Sequence, residues 1–337
     1  MPVWVVPVFV ASAAVSLLAS DQLVKALERV GTDIGAAQVL LGLVAALAAD
    51  GPELTSAVTA LLSGEHALGL GVLFGSNVFN IAALLGLGPF LADRVRFHRR
   101  VVVMEGTAAV GVAVASLLLV SGALGAVPAL VLTLAFFVPY VIVAAVPTAR
   151  LPLPERWRQW LSEALKEEVE ETQDAYRPAW RANTRLAGLT AVVAVLIVIG
   201  ASVLMEHSAS VGGTSLGVPE VVLGGVVLAG VTSLPNAVAA VYLARAGKGA
   251  ATLSVAMNSN TINVVGGLAL PAVIGGFALA GLGGGTVFAG AAYLAMTALV
   301  ILLAYRGADR GDGLGRGAGA LLLGAYAVFL GVLIAVG

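Results

Sequence analysis

Residues 42–80 recur 183 positions later in the chain without a gap. In each copy a long apolar stretch is interrupted by a proline with polar neighbours, as Ala48-Ala49-Asp50-Gly51-Pro52-Glu53 in the first copy and Val231-Thr232-Ser233-Leu234-Pro235-Asn236 in the second. Paired, interrupted apolar segments in the two halves of a chain indicate a membrane protein whose interruptions meet near the bilayer midplane. The repeat therefore predicts two related halves with a shared site between them.

The composition supports a lipid environment for these halves. Of 337 residues, 59% are apolar and 11% are charged, whereas soluble domains contain about a quarter charged residues. A β-barrel would need strands of alternating polarity, and the sequence has no such alternation. We therefore predict an all-α membrane protein. Ten apolar runs are long enough to cross as helices, and they lie at 3–19, 34–62, 67–91, 101–121, 126–148, 185–205, 217–244, 250–281, 285–305 and 317–336.

The basic residues are distributed on one side of these ten spans. All 18 Lys and Arg residues follow odd-numbered spans, in the groups 25–29, 94–100, 150–185, 245–248 and 306–316. The positive-inside bias predicts that these connections are cytoplasmic and that both termini lie outside, and we expect the cell membrane as the location. The same partition makes the second copy run opposite to the first. It predicts two inverted five-helix repeats, 1–148 and 185–337, joined by a cytoplasmic linker, 149–184.

The linker carries a pattern of its own. After a Pro-rich entry, apolar residues recur at roughly helical spacing over residues 155–174 and include Trp157 and Trp160. This pattern predicts an amphipathic helix that lies along the membrane surface with its tryptophans at headgroup depth. A sensor or a helix that binds a partner is the alternative. The chain has no cysteine, which excludes disulfides, thiolate metal sites and cysteine nucleophiles.

The two prolines predict broken helices. A proline inside a helix removes one backbone hydrogen bond and clashes with the carbonyl four residues earlier. Pro52 therefore frees the carbonyl of Ala48, and Pro235 frees that of Val231. At membrane depth, broken backbone is tolerated only where it is buried in protein or lines a cavity.

Two acidic residues lie beside the first break. Asp50 and Glu53 are three positions apart, hence on one helix face, between long apolar flanks. An ionised side chain at the bilayer centre costs several kcal/mol, so such residues are rare and usually functional. We interpret this pair as functional, the alternative being neutral carboxyl groups hydrogen-bonded to neighbouring helices. Glu105 and Glu220 lie close to predicted membrane boundaries, which favours a structural role.

A polar motif opens the second half of each copy. Gly75-Ser76-Asn77-Val78-Phe79-Asn80 is answered by Asn258-Ser259-Asn260-Thr261-Ile262-Asn263. Within the first motif, Ser76 and Asn80 are one helical turn apart and point to the same side. Small polar residues often only hold membrane helices together. Their recurrence opposite the carboxylate pair favours a binding role instead.

At these residues the chain resembles the cation/calcium antiporter superfamily, which includes the sodium/calcium exchangers. That family has two inverted repeats, each with a motif of the type G-T-S-x-P-E followed by G-S-N-x-x-N or G-S-N-x-x-D, and the resemblance covers the whole ten-helix layout. It implies that the ion site is lined by Ala49, Asp50, Glu53, Ser76, Asn80, Thr232, Ser233, Asn236, Ser259 and Asn263. Further candidates are Asn77, Asn260 and the backbone carbonyls of Ala46 and Ala229. The first and sixth helices would form a sliding gate.

The sequence departs from the family pattern at three positions. Asp50 stands where the family usually has serine, Asn236 where it has the second-repeat glutamate, and Asn263 where many exchangers have aspartate. Both carboxylates therefore lie in one repeat, and their two charges match one divalent ion. Hard cations such as Ca²⁺ take six to eight oxygens. The side chains expected to coordinate the metal are those of Asp50, Glu53, Asn80, Asn236 and Asn263.

Three hypotheses follow. The first is a secondary antiporter that moves Ca²⁺, or another small cation, against Na⁺ or H⁺ by alternating access, since neighbouring carboxylates without a cation repel and favour a proton on one of them. The second is a monovalent cation/proton antiporter that has lost calcium binding. The third, an intramembrane protease, lacks its sequence signatures: aspartates on separate helices or His-Glu-x-x-His. We expect no cofactor, nucleic acid or obligate protein partner; the expected partners are the lipid bilayer and small inorganic cations.

Overall fold

The computed structural model describes residues 1–33, 47–175, 184–277, 279 and 281–337. Residues 47–49 are helical, and π-helical turns occupy Ile81–Gly86, Leu223–Leu228 and Val265–Ala269. The α-helices are α1 Val5–Asp33, α2 Gly51–Leu62, α3 His66–Asn80, α4 Gly88–Ala92, α5 Arg99–Val120, α6 Ala126–Ala145, α7 Glu155–Ala175, α8 Thr184–Leu216, α9 Glu220–Val222, α10 Ala229–Thr232, α11 Leu234–Arg245, α12 Gly249–Val264, α13 Leu270–Ile274, α14 Gly284–Asp309 and α15 Arg316–Val336.

Within the described residues, seven of these helical stretches are long and apolar enough to cross a membrane. An eighth is the pair Glu220–Thr232 and Leu234–Arg245, which is bent by 46°. The predicted span 34–62 lies partly outside the described residues. The predicted span 250–281 is divided by a π-helical turn into α12 and α13, each of which is short. The predicted helical membrane architecture is confirmed, and the described residues add to it one pair of two-residue strands.

Two predicted spans were too short. The spans 3–19 and 185–205 correspond to α1 and α8, which continue to Asp33 and Leu216. Lys25 and Arg29 therefore lie inside a helix and not in a loop. Hydropathy detects only the apolar part of such a helix. In α1 the residues that follow include good helix formers such as Leu, Lys and Glu, whereas in α8 they are mostly Ser, Gly and Thr, and their burial at Ala209, Gly212 and Gly213 indicates that packing extends the helix. The repeat offset maps the last residue of α1 onto the last residue of α8.

Helices α1 and α8 pack along each other and are called the gate pair below. Their buried hydroxyls, Ser16 Oγ and Ser202 Oγ, lie 2.8 Å apart and share a hydrogen bond. Near one end of α8, Ser210 Oγ donates to Glu65 Oε1 over 2.7 Å, in the turn between α2 and α3. Within the described residues, this hydrogen bond is a polar contact between the gate pair and the helices that follow α1.

Helix α3 approaches the π-helical turn Leu223–Leu228 backbone to backbone. A Cβ atom built at Gly71 would lie 2.6 Å from the carbonyl oxygen of Val221, and one at Gly75 would overlap the backbone of Gly225. Small residues permit this approach in membrane proteins, where helix association depends on close packing. The contact joins the first repeat to the second, next to the polar motif of α3.

Four of the five groups of basic residues, all except 25–29, lie in connections that meet on one face, called the basic face below. Strand Arg94–Val95 pairs antiparallel with strand Leu314–Gly315, and a Cβ atom at Gly249 would overlap the backbone of Arg96. These two-residue strands were not predicted from the sequence. Four ion pairs also join the connections and the linker on this face: Arg94–Asp312, Arg99–Asp309, Arg316–Asp93 and Arg100–Glu163.

The linker helix α7 occupies almost the predicted range. Its residues Ala164 and Leu165 are buried, and the helix packs against α5 and α12. Trp157 is half exposed and meets the ring of Trp160 edge to face. The apolar side of α7 therefore covers part of the basic face of the helical core, in addition to any surface that it presents to lipid.

We expect Gly71→Ala to destabilise the fold, because the added methyl group meets the Val221 carbonyl 2.6 Å away. Overpacking of this kind costs about 1–3 kcal/mol. The matched control is Gly200→Ala on α8, where no atom lies within 4 Å of the added carbon. Thermal unfolding in detergent should give a lower midpoint for Gly71→Ala alone, and equal midpoints for both variants would contradict the packing argument.

Candidate cation-binding site

Both helix breaks occur where the prolines predict them. Asp50 directly precedes α2, with Pro52 in the first helical turn, and Ser233 directly precedes α11, with Pro235 in the first turn. A proline is tolerated there because the N–H groups of a first turn have no partner within the helix. The breaks place buried polar side chains between helical segments.

The carboxylates of Asp50 and Glu53 are buried, with exposed fractions of 0% and 2%. Asp50 Oδ1 accepts hydrogen bonds from Asn236 Nδ2 at 2.8 Å and from Ser259 Oγ at 2.7 Å. Glu53 accepts from Asn263 Nδ2 at 2.5 Å and, more weakly, from Asn236 Nδ2 at 3.4 Å. Each donor comes from the second repeat. The two negative groups of one repeat are therefore held by neutral amides and a hydroxyl of the other.

Asn77 and Asn260 bind each other across the two repeats. Asn260 Nδ2 donates to the carbonyl of Asn77 over 2.9 Å, and Asn77 Nδ2 donates to the carbonyl of Asn260 over 3.4 Å. The two residues are separated by the repeat offset of 183. Reciprocal contacts between equivalent positions are what a two-fold relation between the halves produces. The Asn77–Asn260 contact is therefore consistent with a pseudo-two-fold relation between α3 and α12.

Asn80 connects this pair to the carboxylates. Its Nδ2 donates to Ser259 Oγ at 3.1 Å and to Asn260 Oδ1 at 3.2 Å, and its Oδ1 accepts from Asn236 Nδ2 at 3.4 Å. Asn263 completes the network by donating to Asn77 Oδ1 at 3.1 Å. Most of the predicted side chains thus form one continuous buried polar cluster.

Several oxygens in this cluster are left for a ligand. Asp50 Oδ2, Ser76 Oγ and Asn263 Oδ1 are buried and make no hydrogen bond with the residues that the structure describes. An unsatisfied buried polar group costs about 1–3 kcal/mol. Carboxylate, hydroxyl and amide oxygens are the ligands that hard cations such as Ca²⁺ prefer. The donor set therefore fits a small cation as cargo.

The remaining predicted residues contribute less directly. Thr232 Oγ1 donates to the carbonyl of Leu228 at 2.9 Å, and the carbonyl of Ala229 accepts the Ser233 N–H at 3.1 Å within the helix backbone. Ser233 is buried beside the break. The carbonyl of Ala229 is thus already used by the backbone. Ala46 lies outside the described residues, and the carbonyl oxygen of Ala49 lies 3.4 Å from the hydroxyl of Ser20 on α1.

Sequence reasoning missed one polar contact of the site. Ser20, on α1, donates to the carbonyl of Ala48 over 2.8 Å, the carbonyl that Pro52 leaves without a helical partner. Ser12, Ser16 and Ser20 recur every four residues in an apolar span, and this stripe could have indicated a buried polar face.

Outside the site, Glu105 is buried and accepts hydrogen bonds from two hydroxyls, Tyr140 OH at 2.9 Å and Ser254 Oγ at 3.0 Å.

Comparison with known proteins places this architecture in a family. The family model described as sodium/calcium exchanger protein matches residues 4–146 and 185–335. The chain belongs to the sodium/calcium exchanger family. Among its relatives, antiporter CaxA of Alkalimonas amylolytica is 38% identical to this chain over 96 residues. Sodium/potassium/calcium exchanger 4 of Mus musculus is 32% identical over 95 residues. Each match covers 28% of this chain but only 30% and 15%, respectively, of the relative's own length.

Solved structures share the fold over nearly the whole chain. A structure of the sodium-calcium exchanger NCX_Mj soaked with Na⁺ and Sr²⁺ superposes with a TM-score of 0.62 at 19% identity, covering 98% of this chain and 99% of that one. Native YfkE gives 0.58 at 16% identity, covering 97% and 92%. The chain is therefore an integral, multi-pass, mostly helical membrane protein with the fold of these exchangers, and the predicted ten-helix inverted repeat is consistent with that fold.

Proposed function

We propose that this chain is a secondary active cation antiporter that exchanges Ca²⁺ for Na⁺ or H⁺ by alternating access. The observation that carries the proposal is the buried pair Asp50 and Glu53, whose hydrogen-bond partners are neutral amides and hydroxyls. Among the residues that the structure describes, no Lys or Arg side chain forms an ion pair with either one. A divalent cation between them would supply the missing positive charge.

The ligands for this ion would come from both repeats. The first repeat supplies Asp50, Glu53, Ser76 and Asn80, and the second supplies Asn236, Ser259 and Asn263 with Thr232 and Ser233 beside the break. This set contains more than the six to eight oxygens that Ca²⁺ requires. Asn236 and Asn263 now aim their amide nitrogens at the carboxylates, so rotation of these amides would present their oxygens to an incoming ion.

The family membership and the names of relatives support the choice of ions. The relatives are named as an antiporter and as an exchanger of sodium, potassium and calcium. On this basis we propose that Ca²⁺ is one of the ions that this chain exchanges. When the cation leaves, the facing carboxylates repel, and binding of Na⁺ or of a proton is a way to remove that repulsion.

The charge distribution supports an orientation for the exchanger. We propose that the basic face is cytoplasmic and both termini lie outside the cell membrane, because cytoplasmic connections carry the excess of Lys and Arg. The repeats would then be 1–148 and 185–337, with 149–184 as the cytoplasmic linker. The gate pair α1 and α8 would slide past the remaining helices to open the site to either side.

A second candidate function is a monovalent cation/proton antiporter. It is favoured by the amides at positions 236 and 263, which donate hydrogen bonds to both carboxylates and add no negative charge from the second repeat. Purified protein in liposomes, with imposed gradients of Na⁺, K⁺ or H⁺, separates the two. Uptake of radioactive Ca²⁺ driven by a Na⁺ or H⁺ gradient supports calcium exchange. Exchange of Na⁺ or K⁺ for protons, without Ca²⁺ movement, supports the alternative.

We expect Glu53→Gln to reduce Ca²⁺ exchange at least about a hundredfold, which corresponds to about 3 kcal/mol of lost stabilisation. The side-chain shape is kept while the cation loses half of its countercharge. Glu220→Gln is the matched control, because Glu220 is exposed at the start of α9. The measurement is Ca²⁺ flux in liposomes that contain the folded protein of each variant, compared with the flux of the wild type. Wild-type exchange by Glu53→Gln would show that the ion site lies elsewhere.

Because Asn236 contacts Asp50, a double mutant can test whether these two residues share an ion. Asn236→Glu alone would add a third carboxylate within reach of Asp50 and Glu53, and like charges in a buried site cannot all ionise readily. We expect loss of transport or a strong proton dependence. Combining Asn236→Glu with Asp50→Ser restores two negative charges, and we expect transport to recover at least tenfold over Asn236→Glu. Strictly additive effects in this cycle would mean that the two residues do not share an ion.

The orientation is tested with single cysteines in this cysteine-free chain. Ser63 follows α2 and Ser162 lies in α7, and both are exposed serines. We expect an impermeant maleimide to label Ser63→Cys in intact cells. It should label Ser162→Cys only after the membrane is permeabilised. Labelling of Ser162→Cys from outside would overturn the proposed orientation.

A further inference from the structure

Ser20 links the gate pair to the backbone of the candidate site. Its side chain is almost completely buried, at 1% exposure. Its hydroxyl lies 2.8 Å from the carbonyl oxygen of Ala48 and 3.4 Å from that of Ala49. These two carbonyls directly precede Asp50. Because Pro52 has no N–H, the Ala48 carbonyl has no partner four residues ahead, and Ser20 supplies the donor that the helix cannot.

A carbonyl oxygen at a helix break can serve either a donor or a cation. In transporters with discontinuous helices, unwound carbonyls and the carboxyl ends of half-helices coordinate cations. The carbonyls of Ala48 and Ala49 lie at such an end, beside the carboxylate of Asp50. A hydroxyl hydrogen that points at these oxygens repels a cation at the same place. Hydrogen bonding by Ser20 and coordination of an ion therefore compete.

The gate pair contacts this segment from both helices. Val198 of α8 lies 3.3 Å from the point where a Cβ atom on Gly51 would stand. One turn before Ser20, Ser16 shares its hydrogen bond with Ser202 of α8. Among the described residues, Ser20 thus makes a polar contact between the gate pair and the break, beside the apolar contact of Val198. The equivalent position in the second repeat is Val203, which has no donor, so the contact belongs to one repeat only.

We propose that Ser20 is a positioning residue that couples the gate pair to cation occupancy of the site. Its hydroxyl holds the Ala48 and Ala49 carbonyls while the cation is absent, and the arriving cation displaces it and releases α1 from the break. This inference rests on the proposed cation exchange. It adds a residue of the first helix whose hydroxyl competes directly with the transported ion.

Ser20→Ala tests the competition. Removing the donor should lower the apparent KM for Ca²⁺ in liposome flux about fivefold, the factor expected for one neutral hydrogen bond. The maximal rate should change less than twofold. Unfolding of the purified protein over a range of Ca²⁺ concentrations gives the affinity without transport, and the same fivefold tightening is expected there. Ser20→Thr keeps the hydroxyl and should restore the wild-type KM.

The matched control is Ser12→Ala on the same helix, because among the described residues the Ser12 hydroxyl bonds only to carbonyls of its own helix, Val8 at 2.6 Å and Phe9 at 3.1 Å. It should leave the KM unchanged. An unchanged or raised KM in Ser20→Ala, or an equal shift in Ser12→Ala, overturns the proposal. If Ser20→Ala fails to fold, Ser20→Cys is measured in its place, and its weak donor should give a smaller shift in the same direction.

The two proposals fail in different ways. Wild-type protein that exchanges Na⁺ or K⁺ for protons, and not Ca²⁺, contradicts calcium exchange. The Ser20 variants are then measured with that monovalent cation, and the same tightening is expected. Wild-type exchange of any of these cations, combined with equal affinities for wild type and Ser20→Ala, contradicts the role of Ser20 alone.

Discussion

The packing of the two halves of this membrane protein depends on two buried carboxylates in the first repeat. Asp50 and Glu53 lie where an isolated charge would cost several kcal/mol, and their hydrogen-bond donors come from the second repeat. The two halves must therefore pack closely enough for amide groups to reach across. Glycines at positions 71 and 75 make that approach possible, because any side chain there would meet the facing backbone.

The scaffold is symmetric, but its charge is not. The Asn77 and Asn260 side chains bind each other's carbonyls, and π-helical turns follow the polar motif in both repeats, at Ile81–Gly86 and Val265–Ala269. Such turns are rare and occur frequently at functional sites. Both carboxylates nevertheless come from the first repeat. An ion bound to them would be held by charge from one repeat and by neutral oxygens from the other.

The helices also differ in the contacts that join them to the rest of the protein. On the basic face, a two-residue ladder and ion pairs join the connections around α5, α14 and α15, and α7 packs over α5 and α12. The gate helices α1 and α8 pack mainly on each other and reach the site through the Ser20 hydroxyl. Each exposed ion pair contributes little by itself. Ion pairs and the strand ladder thus connect the helices of the basic face, whereas α1 and α8 pack mainly against each other, an arrangement compatible with the sliding gate proposed above.

The sequence by itself determined the fold class, the repeat, both helix breaks, the linker helix and most members of the polar cluster. Hydropathy, proline chemistry and a fixed repeat offset are properties of the linear sequence. They can be recognised without knowledge of the contacts between distant residues. Only the tertiary structure decided that Asn236 and Asn263 donate to the carboxylates, that the Ala229 carbonyl is used within its own helix, and that Ser20 binds the carbonyl left free by Pro52. These contacts join residues on separate helices, and they depend on helix rotation and on glycine-mediated approach. A single sequence does not encode either of these in any local pattern. The lengths of α1 and α8 were missed for a related reason, since hydropathy ends where the lipid ends, whereas a helix ends where its backbone hydrogen bonds do.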